Sequence, residues 1–443
     1  MKSLVYLSIF SLLVFFSCKK DNEDSYPTYA VQVQLTDTLG NNFTAISGVN
    51  VKLTANTGNV YNATSNASGV AAFKVPEGIY QVSATLTSTD GAQRLVYNGN
   101  NTADITVTNN WSVTDVVKVE LIQAQLSQVI IKEIYNGGVP MDNGSGVFKY
   151  DGYIVLYNNS DVVATLNNLC IGTISPANAT TQSGNKYYVD GKLLYTDEKW
   201  LPSLNGFWYF QNDITIQPGQ QIVVAIYQAI NHTLTYSKSV NLDNSKYYTM
   251  YDIASGFAFA NYYVAPAASI PSANYLKGFR LGTSTVWPVS FASPGIFLFQ
   301  TKGVTPLAFG SDVSTNHILG TSVGTTSKKV PTSWVLDGVE AFEFNNSFNY
   351  KRFLSTIDAG QVSHSNNYGY SIYRNVDKAA TEAIAANAGK LVYNYSLEAN
   401  NTSEPSHIDA EASIKNGARI VYMDNNNSSK DFHIRSKASL RTN

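Results

Sequence analysis

Residues 320–324 read Gly-Thr-Ser-Val-Gly, the G-x-S-x-G pattern of a nucleophile elbow. There a serine on a sharp strand-to-helix turn is deprotonated by a histidine and attacks a carbonyl. His317 lies close by in sequence. The chemistry requires a helix directly after the serine. The chain instead continues Thr325-Thr326-Ser327-Lys328-Lys329-Val330-Pro331, and the proline leaves too little room for one. The run reads as a Gly/Ser/Thr loop, and no catalytic residue is assigned. His232, His364, His407 and His433 are scattered, with no pair at metal-ligand spacing on one element. All five histidines are expected on loops or at the surface. Asp142 with Asn143 and Asp151, and Asp424 with Asn425, Asn426 and Asn427, offer oxygens to calcium but lack the ordered series with a distal glutamate. Turn chemistry explains them more simply, because Asn and Asp tolerate left-handed backbone and bond their own main chain. Walker, dinucleotide, CxxC and haem motifs are absent. The expectation is no metal and no cofactor.

The two cysteines play different parts. Cys170 sits in the apolar run LNNLCIG and reads as a small buried hydrophobe. Cys18 follows Lys2, an apolar stretch at 4–16 and small Ser17. That stretch is shorter than the roughly 20 residues of a spanning helix and has the layout of an export signal. The 15–18 segment FFSC resembles a bacterial lipoprotein signal, which implies cleavage after 17 and a lipid on Cys18. Residues 18–28, charged and broken by Pro27, read as a tether. This acidic stretch is similar to the signal that sends Bacteroidetes lipoproteins to the outer face of the outer membrane.

Aromatic clusters are the better candidates for contact with a ligand. Trp208 and Tyr209 in NGFWYF, and Tyr262 and Tyr263 in FANYYVAP, sit in Asn/Gly-rich surroundings. Tyr and Trp present rigid, amphipathic area, suited to a small molecule, a glycan or a protein. Core filling in strands is the competing reading, since aromatics are also common there.

The elements that must carry these residues are β-strands. Only 14% of residues are charged, against about 25% in a typical domain, and 29 are tyrosine. The net charge of −2 supplies no electrostatic reason to bind nucleic acid. Between 29 and 125, alternating runs such as YAVQVQLTD and VNVKLTA are broken by Gly, Asn and Pro, the mark of an antiparallel sandwich. A second unit, 126–443, opens with QVIIKEIYNGG and DGYIVLYNN. The stretch 173–290 reads as insertions in it. One amphipathic helix is expected after Asp377, over KAATEAIAANA, stopping at Gly389. The fold class is all-β: tandem sandwiches, with no series of transmembrane strands.

Ser68-Gly69, Ala72-Phe73, Pro76-Glu77-Gly78 and Tyr80 resemble the carboxypeptidase-regulatory, transthyretin-like modules, which implies a spacer without catalytic residues. Ile131, Glu133, Ile134, Tyr135, Gly137, Gly138, Tyr153, Ile154, Leu156, Tyr157 and Asn158 resemble the lamin-tail type of sandwich. Where that family commonly has a glutamate, this chain has Val155, so no role of that carboxylate carries over. VPTSWVLDGVEAFEF, GYSIYRN and KDFHIRSKASLR are similar to its later strands. The whole layout, ending in IDAEASIKNGARIVYMDNNNSSKDF, resembles the DUF4876 lipoproteins of Bacteroidetes. The resemblance implies a lipid-anchored surface protein of the outer membrane, and the lack of a catalytic constellation makes a non-catalytic binding protein the expectation. The expected partner is a TonB-dependent transporter that it serves in nutrient capture. An adhesin is the alternative, and a hydrolase the least favoured reading.

Overall fold

The computed structural model describes residues 27–36, 47–90, 93–100, 104–124, 127–174, 188–189, 192–318, 326–346 and 349–442. Cys18, the tether up to 26 and the GTSVG run lie outside them.

The first unit is a sandwich of two sheets. Thr28–Thr36 lies between Val70–Pro76, antiparallel, and Val116–Glu120, parallel. The facing sheet runs Val60–Thr64, Asn50–Ala55, Gly78–Asp90, Gln93–Asn100, Ile122–Ala124. The period-two pattern places Val31, Val33 and Leu35 in one core with Val51, Leu53 and Val82. Each such side chain stabilises the fold by about 1.5–3 kcal/mol. The turns use their own chemistry. Asn66 Oδ1 accepts the N–H groups of Ser68 and Val70 at 2.9 and 3.1 Å, and Tyr80 donates to the Pro76 carbonyl at 2.8 Å.

The second unit is organised by one path of thirteen strands. Its most deeply buried strand near one end is Val129–Tyr135, paired antiparallel with Tyr153–Asn158 on one side and Ser371–Arg374 on the other. The path coils until Val335–Glu343 returns against Val129–Tyr135, and Val362–His364 against Phe432–Arg435. The main core fills the space enclosed. Alternation sorts the side chains: Ile154 and Leu156 point into this core, while Tyr153 and Val155 face a satellite core on the outer side. Strands covered on both faces lose the polar half of the pattern. Val129–Tyr135 is accordingly buried at every position.

One expectation changes and one stretch gains detail. Within 173–290, Gly206–Tyr209, Gln221–Ala225, Tyr248–Met250 and Tyr275–Arg280 stand in the path between Leu169–Thr173 and Tyr153–Asn158. Short strands with irregular spacing concealed this, because their pairing is long-range. The helix after Asp377 is shorter than expected. Asp377 does cap it, accepting the N–H of Ala380 at 3.0 Å, but the α-helix spans only Lys378–Glu382. A 3-10 turn at Ala385–Asn387 comes next. Buried Asn387 donates to the carbonyls of Thr381 and Arg419 at 2.9 and 2.7 Å, and Thr381 exchanges hydrogen bonds with Val421. These tertiary bonds outweigh the helix propensity of the alanines. Among the described residues no helix is long and apolar enough to cross a membrane.

Candidate binding face

The four aromatic candidates go to different places. Trp208 is fully buried in the main core, 5.3 Å from the ring of Phe257 and 5.9 Å from that of Tyr263. Tyr263 is buried with it, and its hydroxyl accepts the N–H of Trp287 at 3.0 Å. Burial raises the Tyr263 phenol well above its ordinary value. Neither presents an accessible face. Tyr209 is half-buried and packs beside the satellite core that contains Cys170. Tyr262 is likewise half-buried, at the rim of the main core.

Around Tyr262 the fold assembles a ladder of rings absent from any single stretch of sequence. Phe259, 46% exposed, lies 5.8 Å from Tyr262. Tyr150 lies 4.9 Å from Tyr262, edge to face. Phe148 is next at 5.7 Å, and Tyr236 stacks on Phe148 at 4.3 Å. Leu234, 84% exposed, sits two residues from Tyr236. Reading by cluster picked out Tyr262 and missed Tyr150 and Tyr236. The only signal for them was tyrosine in a Gly- or Ser-containing loop, which is common in this chain.

The ladder is mounted rigidly. Asn231 caps the turn His232–Leu234 by accepting the N–H of Thr233 at 3.1 Å. The N–H of Tyr236 returns to the His232 carbonyl at 2.9 Å. Asp142 accepts the backbone N–H and the hydroxyl of Ser237 at 2.8 and 2.9 Å, and these bonds hold its carboxyl below the usual range. Gln228 donates to the Asn261 carbonyl at 2.7 Å, tying the Tyr262 loop to the strand end beside Tyr150.

Groups with acid–base potential are taken up inside the fold. Asp151 accepts the hydroxyls of Tyr135 and Ser239 at 2.9 and 2.5 Å, and burial pushes its pKa up to about 6. Asp431 accepts from the backbone of Asn425 and Asn427 and from the Asn425 amide, with Asn426 at φ 48°. The 424–427 run is thus a buried turn. Among the described residues no three His, Cys, Asp or Glu side chains converge as a metal site. Of the histidines expected on loops or at the surface, His364 and His433 lie instead in buried strands. His232, His364 and His433 are buried, and burial pushes His364 down to about 4. His317 is half-buried beside Trp200 at 5.0 Å, and His407 is exposed. Cys170 is a buried, free thiol, raised well above its usual pKa by burial. A cavity of about 270 Å³ lined by Ile174, Pro288, Val289 and Ser290, among others, has no charged side chain in its wall.

A family model described as "Protein of unknown function (DUF4876)" matches residues 217–439. The chain belongs to the DUF4876 family. The matched span runs from just before the strand Gln221–Ala225 through the closing strand Phe432–Arg435, and leaves out Phe148 and Tyr150. A crystal structure of a DUF4876 family protein from Bacteroides thetaiotaomicron is similar at 20% identity and a TM-score of 0.50. The match covers 91% of this chain and 94% of that one, so the fold is shared across both units. Two other structures match at low TM-score. A candidate adhesin from Bacteroides ovatus has 12% identity and a TM-score of 0.20, covering 48% and 88% of the two chains. A Streptococcal ancillary pilin has 10% identity and a TM-score of 0.15, covering 44% and 60%. No curated protein matches.

Proposed function

We propose that this DUF4876 protein is a non-catalytic binding protein of the cell surface, held to the outer membrane by a lipid on Cys18. It would act as an accessory subunit of a TonB-dependent transporter. The observation that carries the binding reading is the mounted ring ladder Phe259–Tyr262–Tyr150–Phe148–Tyr236. Buried Phe148 anchors the row, and partly exposed Tyr262, Tyr150 and Tyr236 with exposed Phe259 are held in place before any partner arrives, which lowers the ordering entropy that binding costs. The lipid would hold the chain at the membrane, each buried methylene contributing about 0.8 kcal/mol.

The test is a tagged full-length copy recovered from outer membranes in mild detergent. A stoichiometric β-barrel transporter, lost when Tyr262 and Tyr150 are both changed to alanine, supports the reading. A clean monomer removes the transporter and promotes adhesion to a surface as the role. Cys18→Ala should abolish the acyl mass and release the protein from the membrane fraction.

A further inference from the structure

The loop 210–213 joins Gly206–Tyr209 to Ile214–Ile216, and the 3-10 turn Ser272–Asn274 leads into Tyr275–Arg280. Between them lies a cavity of about 70 Å³, several times the space that one water needs. It is built from other residues than the ring ladder. We infer that this cavity binds a primary alkylammonium group, the end of a lysine side chain or of a small amine.

Two amides set the chemistry of the wall. Gln211 Nε2 donates to the carbonyls of Ser272 and Tyr275 at 3.0 and 2.6 Å. Asn274 Nδ2 donates to those of Ser245 and Tyr247 at 3.2 and 3.1 Å. A carbonyl only accepts, so each amide nitrogen is fixed on the backbone side. Gln211 Oε1 and Asn274 Oδ1 are left without a partner among the described residues, and so is the carboxylate of Asp213. Three acceptor groups thus line one cavity. No lysine or arginine stands in its wall among the described residues. Lys277, on the strand leading away, turns to Asp252 at 3.8 Å, and Lys246 is exposed on a neighbouring loop.

A primary ammonium carries three N–H donors and no acceptor. It satisfies the three acceptor groups at once, and the bond to Asp213 is charge-assisted. Buried Phe210, Ile214 and Leu276 supply the apolar part of the wall, which suits the methylenes behind the ammonium. Other ligands fit less well. A carboxylate or phosphate meets the like charge of Asp213 and two amide oxygens. A hard metal ion asks for about six or more oxygens, and Asp213 is the one carboxylate among the described residues of the wall. A quaternary ammonium has no N–H to give.

The test is ligand-observed saturation-transfer NMR on the full chain in dodecyl maltoside, with butylammonium as the probe. Tetramethylammonium, butanol and butyrate serve as comparators, and acetyl-lysinamide stands for a lysine side chain. Butylammonium should bind in the millimolar range and more tightly than tetramethylammonium, butanol or butyrate. Asp213→Asn should weaken it about fivefold, and Asp213→Lys should abolish it. Asp161→Asn, at an exposed aspartate on another element, should change nothing. Because the Asp213 carboxylate holds no partner in the fold, the variants should keep the parent melting temperature. Acetyl-lysinamide binding as well as butylammonium assigns the cavity to a lysine of a partner protein. Its silence beside bound butylammonium assigns the cavity to a free amine. No binding of butylammonium, equal binding of tetramethylammonium, or binding indifferent to Asp213 overturns the inference.

Discussion

Arg374 donates to Asp337 at 2.5 Å, and together the two side chains take over both backbone groups of Ile131. Asp337 accepts the Ile131 N–H at 2.6 Å, and Arg374 Nε donates to the Ile131 carbonyl at 2.7 Å. The register of Val129–Tyr135 against Tyr153–Asn158 shifts between Ile131 and Glu133. This bulge ends the ladder to Ser371–Arg374 at Glu133. A buried ion pair from two distant strands therefore replaces a stretch of sheet and holds Val335–Glu343 against Val129–Tyr135.

Removing Arg374 should be severe. Asp337, Asp424 and Asp431 all lie within 4 Å of its guanidinium, and burial has already raised Asp337 and Asp431. Arg374→Met should cost about 3–5 kcal/mol in urea unfolding, because buried carboxylates are left without a counter-charge. Arg374→Lys should recover little, since an ammonium cannot reach the carbonyl and the carboxylate at once. A lysine variant as stable as the parent would refute this role of the guanidinium.

The bulged residue has its own partner. Lys132, fully buried, meets Glu411 at 2.6 Å and the Gln221 amide oxygen at 2.7 Å. It lies among the rings of Tyr157, Tyr373 and Tyr422 at 5.5–6.0 Å. Burial raises the Glu411 carboxyl, but Lys132 and Tyr373 more than offset it, and the net shift is downward. Because the Glu411 side chain keeps 26% exposure, the pair is discounted for solvent. Lys132→Met should cost about 1–3 kcal/mol, and adding Glu411→Leu should restore part of it. Two purely additive losses would show that the pair does not couple.

His433 makes stability pH-dependent. Asn375 Nδ2 donates to the Lys430 carbonyl, which turns the Asn375 oxygen toward His433 Nδ1 at 2.7 Å. Nδ1 then carries the proton, and Nε2 accepts from Tyr395 at 2.8 Å. Burial, with Arg435 nearby, pushes His433 down to about 3. The unfolded chain thus binds the proton first, and this contribution is lost as pH falls from about 6.5 toward 3. Asp151 and Asp431, raised to about 6, act with the opposite sign between about 4 and 6. The difference between wild type and His433→Gln isolates the histidine. The wild type should lose ground on the variant by about 1 kcal/mol per pH unit between pH 6 and 4. Parallel stability curves would rule this out.

Asn205 and Gly206 carry the chain from the sheet of Trp200–Leu204 into the long path. Asn205 sits at φ 53° and Gly206 at φ 102°, and a Cβ on Gly206 would fall 1.8 Å from the Phe279 carbonyl oxygen. Gly206→Ala should cost at least about 3 kcal/mol in thermal melts. Gly303→Ala makes the matching control: it shares the left-handed backbone, at φ 76°, but meets nothing within 4 Å, so it should cost far less. Equal losses would mean that strain, not the clash, sets the penalty.

Local rules accounted for much of what the sequence could determine. Period two with Gly, Asn and Pro breaks produced Thr28–Thr36 and Asn50–Ala55 as strands, and the lamin-tail resemblance pointed to Val129–Tyr135, Tyr153–Asn158 and Val335–Glu343. An N-cap signature located the start of the helix after Asp377. These are decided within a few residues, by side-chain alternation and by short-range hydrogen bonds. Tertiary structure decided the rest. Trp208 and Tyr262 have similar loop-like neighbourhoods in sequence, yet one is core and the other rim. The difference lies in which strands pair across long stretches of chain, and alternation carries no record of that pairing. The ladder joins Tyr150, Tyr236 and Tyr262 from three separate loops. The Arg374–Asp337 clasp likewise exists only because the path coils back on itself and leaves two backbone groups of Ile131 in need of partners.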